Sequence, residues 1–395
     1  MPGGGPHGGP ADAEERVGPG GHSELPTGIL HRMHLATATH FLRHTIPLKL
    51  SDFEFEYPRE LIARYPAEPR EGARLMVVHR ETGTIEHRMV ADLPDYFEAG
   101  DVLLANDTAV FPARLYGQKE KTGARVEVFL LRELNPETQL WDVIVEPARK
   151  VRVGNKLYFD GGLEAEVIDN TTSRGRTLRF HFRGPTEVLH ALIEEIGHTP
   201  IPRYLRREAE PEDKARYQTV FARHRGAVAA PAAGLHFTPA LLGALEAKGV
   251  RVASVTLHTG LGSFRPVEVE DLTKHRMDSE FFRVTPEAAE VVNGALRSRT
   301  NTVTVCSTTA VRAAESSLSA DRALKPGSGW TDRFIFPPYN FHVTERLLTN
   351  FQLPRSTPLI LVAAFGGIDL IHYAYEEAIR EEYRLFAFGD AMLII

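Results

Sequence analysis

From Leu48 onward the apolar positions fall into short groups whose period changes along the chain. "SDFEFEYPRELIARYP" predicts a short extended piece, a helical turn opened by Pro58, then a loop. "RLMVVHRETGTIEHRMV" alternates apolar with polar around a Thr-Gly turn and predicts a hairpin. "GDVLLANDTAVFPARL" predicts a strand ending in Asn106, Asp107 and Thr108. Between Leu115 and Phe182, "RVEVFLLREL", "LWDVIVEPARKV", "NKLYFDGGLEAEVID" and "RTLRFHF" read as successive strands separated by turns, the spacing of a small barrel or sandwich. After Gly184 the period lengthens. "TEVLHALIEEIG" is an amphipathic helix, and "TPALLGALEAKGV" is a helix with Thr238 as its cap, Pro239 in its first turn and Gly249 at its stop. "RVASVTLHTG" is a strand, and "NTVTVCSTTAVRAAESSL" is a strand running into a helix. "STPLILVAAFGGIDLIHYAYEEAIREEY" is two helices broken at Gly366-Gly367, and "LFAFGDAMLII" closes as a strand.

Alternating strand and helix predicts an α/β main domain built from residues 48–111 and 186–395, with residues 112–185 as an inserted, small, all-β, barrel-like domain. Residues 1–47 open "MPGGGPHGGPADAEERVGPGGH". They hold too few large apolar groups to offset the entropy of ordering and are expected to be a disordered tail. No internal repeat is evident.

The composition is that of an ordinary globular protein: 395 residues, 43% hydrophobic and 25% charged, enough for two domains. A formal charge of −6 confines any nucleic-acid contact to a local basic patch. A single cysteine, Cys306, forbids an intramolecular disulfide and a cysteine-based zinc site, which fits the cytoplasm. The apolar run "PLILVAAF" is far short of the roughly 20 residues of a membrane span, so no membrane partner is expected.

Several places carry candidate chemistry. In "VCSTTAVR" three hydroxyls stand at a helix start, where free N–H groups attract an anion; simple capping by Ser307 or Thr308 is the alternative. "LHTGLGSFRP" sets glycines beside His258 and Arg265, either a ligand-approach loop or a plain turn. "AGLHFT" delivers His236, able to transfer a proton near neutrality or to serve structurally, among small residues that leave room for a flat ligand. Asp390 lies in apolar text, so it must be paired, capping or functional. Arginines in "PRYLRRE" and "FARHRG" offer either a solvated face or phosphate contacts.

In order along the chain, "YQTVFARHRGAVAAPAAGLHFT", "TLHTGLGSFRPV", "KHRMDSE", "STTAVRAAES", "LLTNFQLPRST", "LVAAFGG" and "YRLFAFGDAMLI" closely resemble the S-adenosylmethionine:tRNA ribosyltransferase-isomerase family of queuosine biosynthesis. "SDFEFEYPRELIARYP", "GDVLLANDTAVFPARLYG", "TGARVEVFLL" and "WDVIVEPARK" extend the resemblance through the first half, leaving only the tail outside it.

The resemblance implies a larger α/β domain with an inserted β-barrel. The implied reaction moves the ribosyl part of S-adenosylmethionine onto 7-aminomethyl-7-deazaguanine at a tRNA wobble position and rearranges it, giving epoxyqueuosine and releasing adenine and methionine. S-adenosylmethionine is then a substrate, and neither a cofactor nor a metal is implied. The expected unit is a monomer whose partner is the tRNA. Such chemistry needs a base for the proton on the carbon beside the sulfonium and an acid for the departing adenine. The catalytic candidates are His236, His258, Asp390 and Glu315. Thr308, Thr309, Arg312, Phe237, Gly260, Gly262, Phe264, Asn106, Asp107 and Gln352 are the substrate-binding candidates, with the two phenylalanines able to stack on a base. Arg203, Arg223 and Arg225 are candidates for the tRNA backbone.

The text departs from the family pattern at five places. Gln352 stands for a histidine, Ser307 for a glycine, Ala310 for a serine, Ala232 for a threonine and Ala109 for an arginine. Glutamine cannot shuttle a proton at neutral pH, so position 352 is expected to orient a ligand. The departures at Gln352, Ser307 and Ala232 also support an alternative, a non-catalytic relative that binds S-adenosylmethionine or tRNA.

Overall fold

Strand Val102–Asn106 is buried along its whole length, and its side chains divide between two cores. Val102 and Leu104 face one with Val303, Val305, Val311 and Ala314; Leu103 and Ala105 face the other with Leu241, Leu245 and Phe237. Burial on both faces is what turns an alternating strand into a continuous apolar run. The computed structural model describes residues 48–260, 267–298 and 300–395, and Leu48–Ile395 pack as one compact unit. The tail expected over 1–47, and the candidates Gly262 and Phe264, lie outside the described residues.

A nine-stranded mixed sheet runs in the order Gly327–Thr331, Glu280–Val284, Arg251–Leu257, Val102–Asn106, Val303–Cys306, Arg346–Asn350, Ala391–Ile394, Arg74–Val78, Ile85–Met89. Its four central strands, from Arg251–Leu257 to Arg346–Asn350, are mutually parallel. Helix Pro239–Ala247 covers one face; helices Pro286–Arg297, Thr308–Ser316 and Thr357–Gly366 cover the other. The helix starts are written in the text. Thr238 Oγ1 accepts the Leu241 N–H at 3.2 Å ahead of Pro239, and Thr285 and Ser356 do the same for Ala288 and Leu359. Gly367 (φ +85°) breaks Thr357–Gly366 from Ile368–Arg380 where the glycine pair predicts it.

Strands Arg114–Lys119, Arg125–Asn135, Leu140–Glu146, Lys156–Phe159, Glu164–Asn170 and Gly175–His181 close into a six-stranded barrel. Trp141, Phe159, Phe180 and Leu178 fill it, and helix Thr186–Ile196 packs Leu189 and Ile193 onto that core. One local expectation needs correction: Leu50–Phe53 is a 3-10 turn rather than an extended piece, because Asp52 accepts the Lys49 N–H at 2.8 Å and closes it. Strands Gly327–Thr331 and Arg346–Asn350 carry no strong signal in the text; the first is an outer strand of small and polar residues.

Candidate active site

The parallel strands end together at Asn106, Leu257, Cys306 and Asn350. From Asn106 the chain goes on through the short strand Thr108–Val110 into the barrel; from Cys306 it enters helix Thr308–Ser316 over the face that holds Val102 and Leu104. Diverging connections at the carboxyl ends of parallel strands leave a crevice where such sheets bind ligands. Asn106 ties this crevice together. Its Nδ2 donates to Leu257 O at 3.1 Å and to Thr309 Oγ1 at 2.9 Å, and its Oδ1 accepts the N–H groups of Thr108 and Leu257.

Beside it a cleft of ≈590 Å³ opens between the sheet and the barrel. His258, Gly260, Glu280, Phe281 and Trp330 line its sheet side, Arg225 and Gly226 its end, and Glu133, Trp141 and His190 belong to the wall on the barrel side. His258 is fixed from three directions. Its Nδ1 lies 2.8 Å from Thr108 Oγ1, its ring stacks on Phe281 at 5.5 Å, and a Cβ at Gly226 would sit only 2.6 Å from its Cδ2. Burial, reinforced by His224, pushes its pKa down to about 4, so the ring is neutral at pH 7. A proton on Nδ1, given to Thr108, leaves the Nε2 lone pair for a substrate.

Helix Thr308–Ser316 reaches the same cleft through an ion pair. Arg312 Nη1 pairs with Glu280 Oε2, its Nε donates to Arg333 O, and Glu280 Oε1 accepts the Gly260 N–H at 2.8 Å. Arg312 Nη2 is buried with no partner among the described residues, as are Thr259 Oγ1 and Arg225 Nη2. Buried donors without partners are what a bound anion or carbonyl would satisfy. Ser307 takes φ +89°, a conformation natural to glycine, the residue that the resemblance leads one to expect there. Its Oγ caps the helix through the Ala310 N–H and meets Thr309 Oγ1 at 2.8 Å.

The other candidates lie apart from the cleft, with mostly structural contacts. His236 is buried under Pro66, Arg70 and Phe388, and its Nε2 donates to Asn350 Oδ1 at 3.3 Å. Burial holds its pKa near 4, against a smaller opposing pull from Asp390. Asp390 accepts the N–H groups of Arg74 and Arg384 and the Arg384 guanidinium, so it is a structural clamp. Glu315 is enclosed by the amides of His342, Val343 and Thr344 and the Thr344 hydroxyl, contacts that fix that loop. Phe237 is fully buried against Phe221, so its stacking role is corrected to core packing. Gln352 donates from Nε2 to Thr349 Oγ1 and Asn350 O, bracing the strand that holds Asn350 toward His236. Asp107 accepts from Thr256 Oγ1 at 2.7 Å and lies 3.7 Å from His224 Nε2.

Of the three arginines, Arg203 is neutralised by Glu127 and Glu146 on the barrel. Arg225 donates to Glu194 Oε1 with its guanidinium 4.3 Å from the Phe111 ring centroid. Arg223 is exposed, two positions before the cleft residue Arg225. Among the described residues no three His, Cys, Asp or Glu side chains gather as a metal site, and no single helix is long and apolar enough to cross a membrane.

The family described as queuosine biosynthesis protein matches residues 50–394. The chain belongs to that family. An S-adenosylmethionine:tRNA ribosyltransferase-isomerase of Flavobacterium psychrophilum is 58% identical over 350 residues, 88% of this chain and 100% of the relative. One of Cytophaga hutchinsonii is 57% identical over 349 residues with the same coverage. A crystal structure of S-adenosylmethionine tRNA ribosyltransferase from Thermotoga maritima is 36% identical, covers 87% of this chain and 100% of that chain, and superposes with a TM-score of 0.48. Within this member of the queuosine biosynthesis family, Glu280, Trp330, Glu133, Trp141 and His190 are cleft residues absent from the sequence candidates, although Glu280 ends "KHRMDSE" and Trp141 opens "WDVIVEPARK". Trp330, isolated in the polar text "GSGWTD", is 58% exposed.

Proposed function

We propose that this protein is an S-adenosylmethionine:tRNA ribosyltransferase-isomerase that transfers and rearranges the ribosyl group of S-adenosylmethionine onto 7-aminomethyl-7-deazaguanine at a tRNA wobble position. The observation that carries this reading is the match over the whole length of relatives bearing that name. The geometry adds a place for the chemistry. In this reading His258, neutral and held by Thr108, takes the proton from the carbon beside the sulfonium onto Nε2 and returns it to the departing adenine; the aminomethyl nitrogen bonds to the ribosyl carbon that adenine leaves, and methionine departs with the electron pair of its carbon–sulfur bond as the ribosyl group rearranges. Arg312, Thr308 and Thr309 at the helix start bind the anionic part of S-adenosylmethionine, and Arg223 and Arg225 meet the RNA backbone. His236 supports the strand end through Asn350.

S-adenosylmethionine is consumed as a substrate in this reading, a single chain is the working unit and the cytoplasm its compartment. The single buried cysteine, Cys306, supports the last. The departures at Ser307 and Gln352 have local structural accounts, and no observation favours a relative without turnover. The test mixes the protein with S-adenosylmethionine and a tRNA carrying the deazaguanine precursor and measures free adenine and methionine. Binding of both substrates without adenine release sinks the enzymatic reading.

A further inference from the structure

The barrel wall of the cleft carries polar atoms that neither the fold nor the chemistry at His258 uses. Trp141 is 2% exposed, yet its indole Nε1–H has no partner among the described residues. Glu133 pairs with Trp141 directly across the two strands, so the two side chains leave the same side of the barrel sheet. The Glu133 carboxylate is divided: Oε2 lies 2.9 Å from His190 Nε2, while Oε1 is buried with no partner among the described residues. His190 stands edge-on to the Trp141 ring at 6.0 Å, so it contacts both of the other groups. The strand is also irregular here. Its pairing shifts register between Leu130 and Arg132 and again between Glu133 and Asn135, on either side of Glu133. Bulges re-aim side chains and gather beside active sites. A buried donor and a buried acceptor on directly paired residues, both without partners among the described residues, are groups that a ligand's polar edge would satisfy.

We propose that Glu133 and Trp141 read the wobble base: Glu133 Oε1 accepts its ring N1–H, and Trp141 Nε1 donates to its neighbouring carbonyl oxygen. This rests on the tRNA-modifying reading above. The donor–acceptor pair complements the lactam edge of a guanine-type base and opposes the reversed edge of an adenine-type base. Enzymes that act on a base extracted from its stack read that edge in a closed pocket. His190 is a positioning residue that ties up Oε2 and so presents Oε1 alone. Trp330, with the Arg132 guanidinium 5.3 Å from its ring centroid, flanks the entrance as a stacking platform for neighbouring nucleotides.

Adenine release is measured with wild type and Glu133→Gln on anticodon stem-loops carrying 7-aminomethyl-7-deazaguanine or its N1-methylated counterpart. Methylation removes the proton that Glu133 accepts and should raise the wild-type KM for the RNA by about 10- to 100-fold, the range of one paired contact to a base edge. Glu133→Gln should raise the KM for the unmethylated RNA by a similar factor, leave the KM for S-adenosylmethionine unchanged, and respond to methylation by less than about threefold. A wild-type KM that methylation leaves within about threefold overturns the proposal, and this arm decides even if the variant fails to fold. Full sensitivity to methylation in a folded Glu133→Gln also overturns it. Absence of adenine from wild type on the unmethylated RNA is instead a failure of the functional reading.

Discussion

Thr108 Oγ1 lies 2.8 Å from His258 Nδ1, and the two residues are 150 positions apart. Thr108 follows the central strand Val102–Asn106, and His258 follows its parallel neighbour Arg251–Leu257. The hydrogen bond therefore crosses the carboxyl ends of two core strands and orients a ring that Phe281 and Gly226 already confine.

If His258 is the base, its hydroxyl partner should be felt in kcat. Thr108→Val keeps the volume and removes the hydroxyl, and a lost orienting hydrogen bond of about 1–3 kcal/mol lowers kcat by roughly 5- to 150-fold. Thr108→Ser should recover most of it, and the KM for S-adenosylmethionine should hardly move. Gly226→Ala should act likewise, because its Cβ would meet the ring at 2.6 Å. Equal turnover in the valine and serine variants would remove His258 from the mechanism.

Ser307 separates strain from capping. At φ +89° a serine carries strain of about 1–3 kcal/mol that glycine does not, while its Oγ caps helix Thr308–Ser316. Ser307→Gly should therefore raise stability by about 1 kcal/mol, since glycine is only a few tenths worse as a cap. Ser307→Ala keeps the strain and loses the cap, for a loss of about 1 kcal/mol. Urea unfolding should rank glycine above serine above alanine, and alanine at or above serine would be the contrary result.

What the text disclosed and what it hid follow from the range of the interactions. Helix starts at Thr238-Pro239 and Thr285-Pro286, the break at Gly366-Gly367 and the barrel strands are set by residues a few positions apart, so they are legible. His236 shows the opposite case. Its neighbours in sequence are small, which suggests an open site, but Pro66, Arg70 and Phe388 come from distant segments and close over it. Glu280, Glu133 and Trp141 form a site only because the barrel is set against the sheet's edge. No spacing in one strand announces that meeting. Asp390 is a buried carboxylate as its apolar surroundings suggest, yet only the fold shows that it and Glu315 are enclosed by amides or a guanidinium.

His236, together with His258, should shape the acid limb of stability. Burial lowers its folded pKa to about 4 from an ordinary 6.5. As pH falls below about 6.5 the unfolded chain takes up a proton that the folded chain refuses. Stability is therefore full above that pH, declines toward about 4 with a slope of at most about 1.4 kcal/mol per pH unit from this group, and then levels. His236→Gln removes this titration, so its unfolding free energy between pH 6.5 and 4.5 should fall less steeply than that of the wild type. Parallel curves would mean that another group sets the acid limb.

The arginines differ in what they can give to RNA. Arg203 already spends its charge on Glu127 and Glu146, at 3.0 and 2.8 Å, and releasing it would break both pairs. Arg223 is exposed and forms no ion pair among the described residues, so its charge is available to a phosphate. Each phosphate neutralised on a single strand adds about 0.7 to the slope of log K against log salt, and about 0.9 on a duplex. Arg223→Ala should therefore weaken binding of the tRNA and flatten that slope by roughly 0.7–0.9, whereas Arg203→Ala should leave the slope nearly unchanged. Titrations at several salt concentrations with both variants decide the matter. A slope that falls for Arg203→Ala and not for Arg223→Ala would place the RNA on the barrel's flank rather than at the end of the cleft.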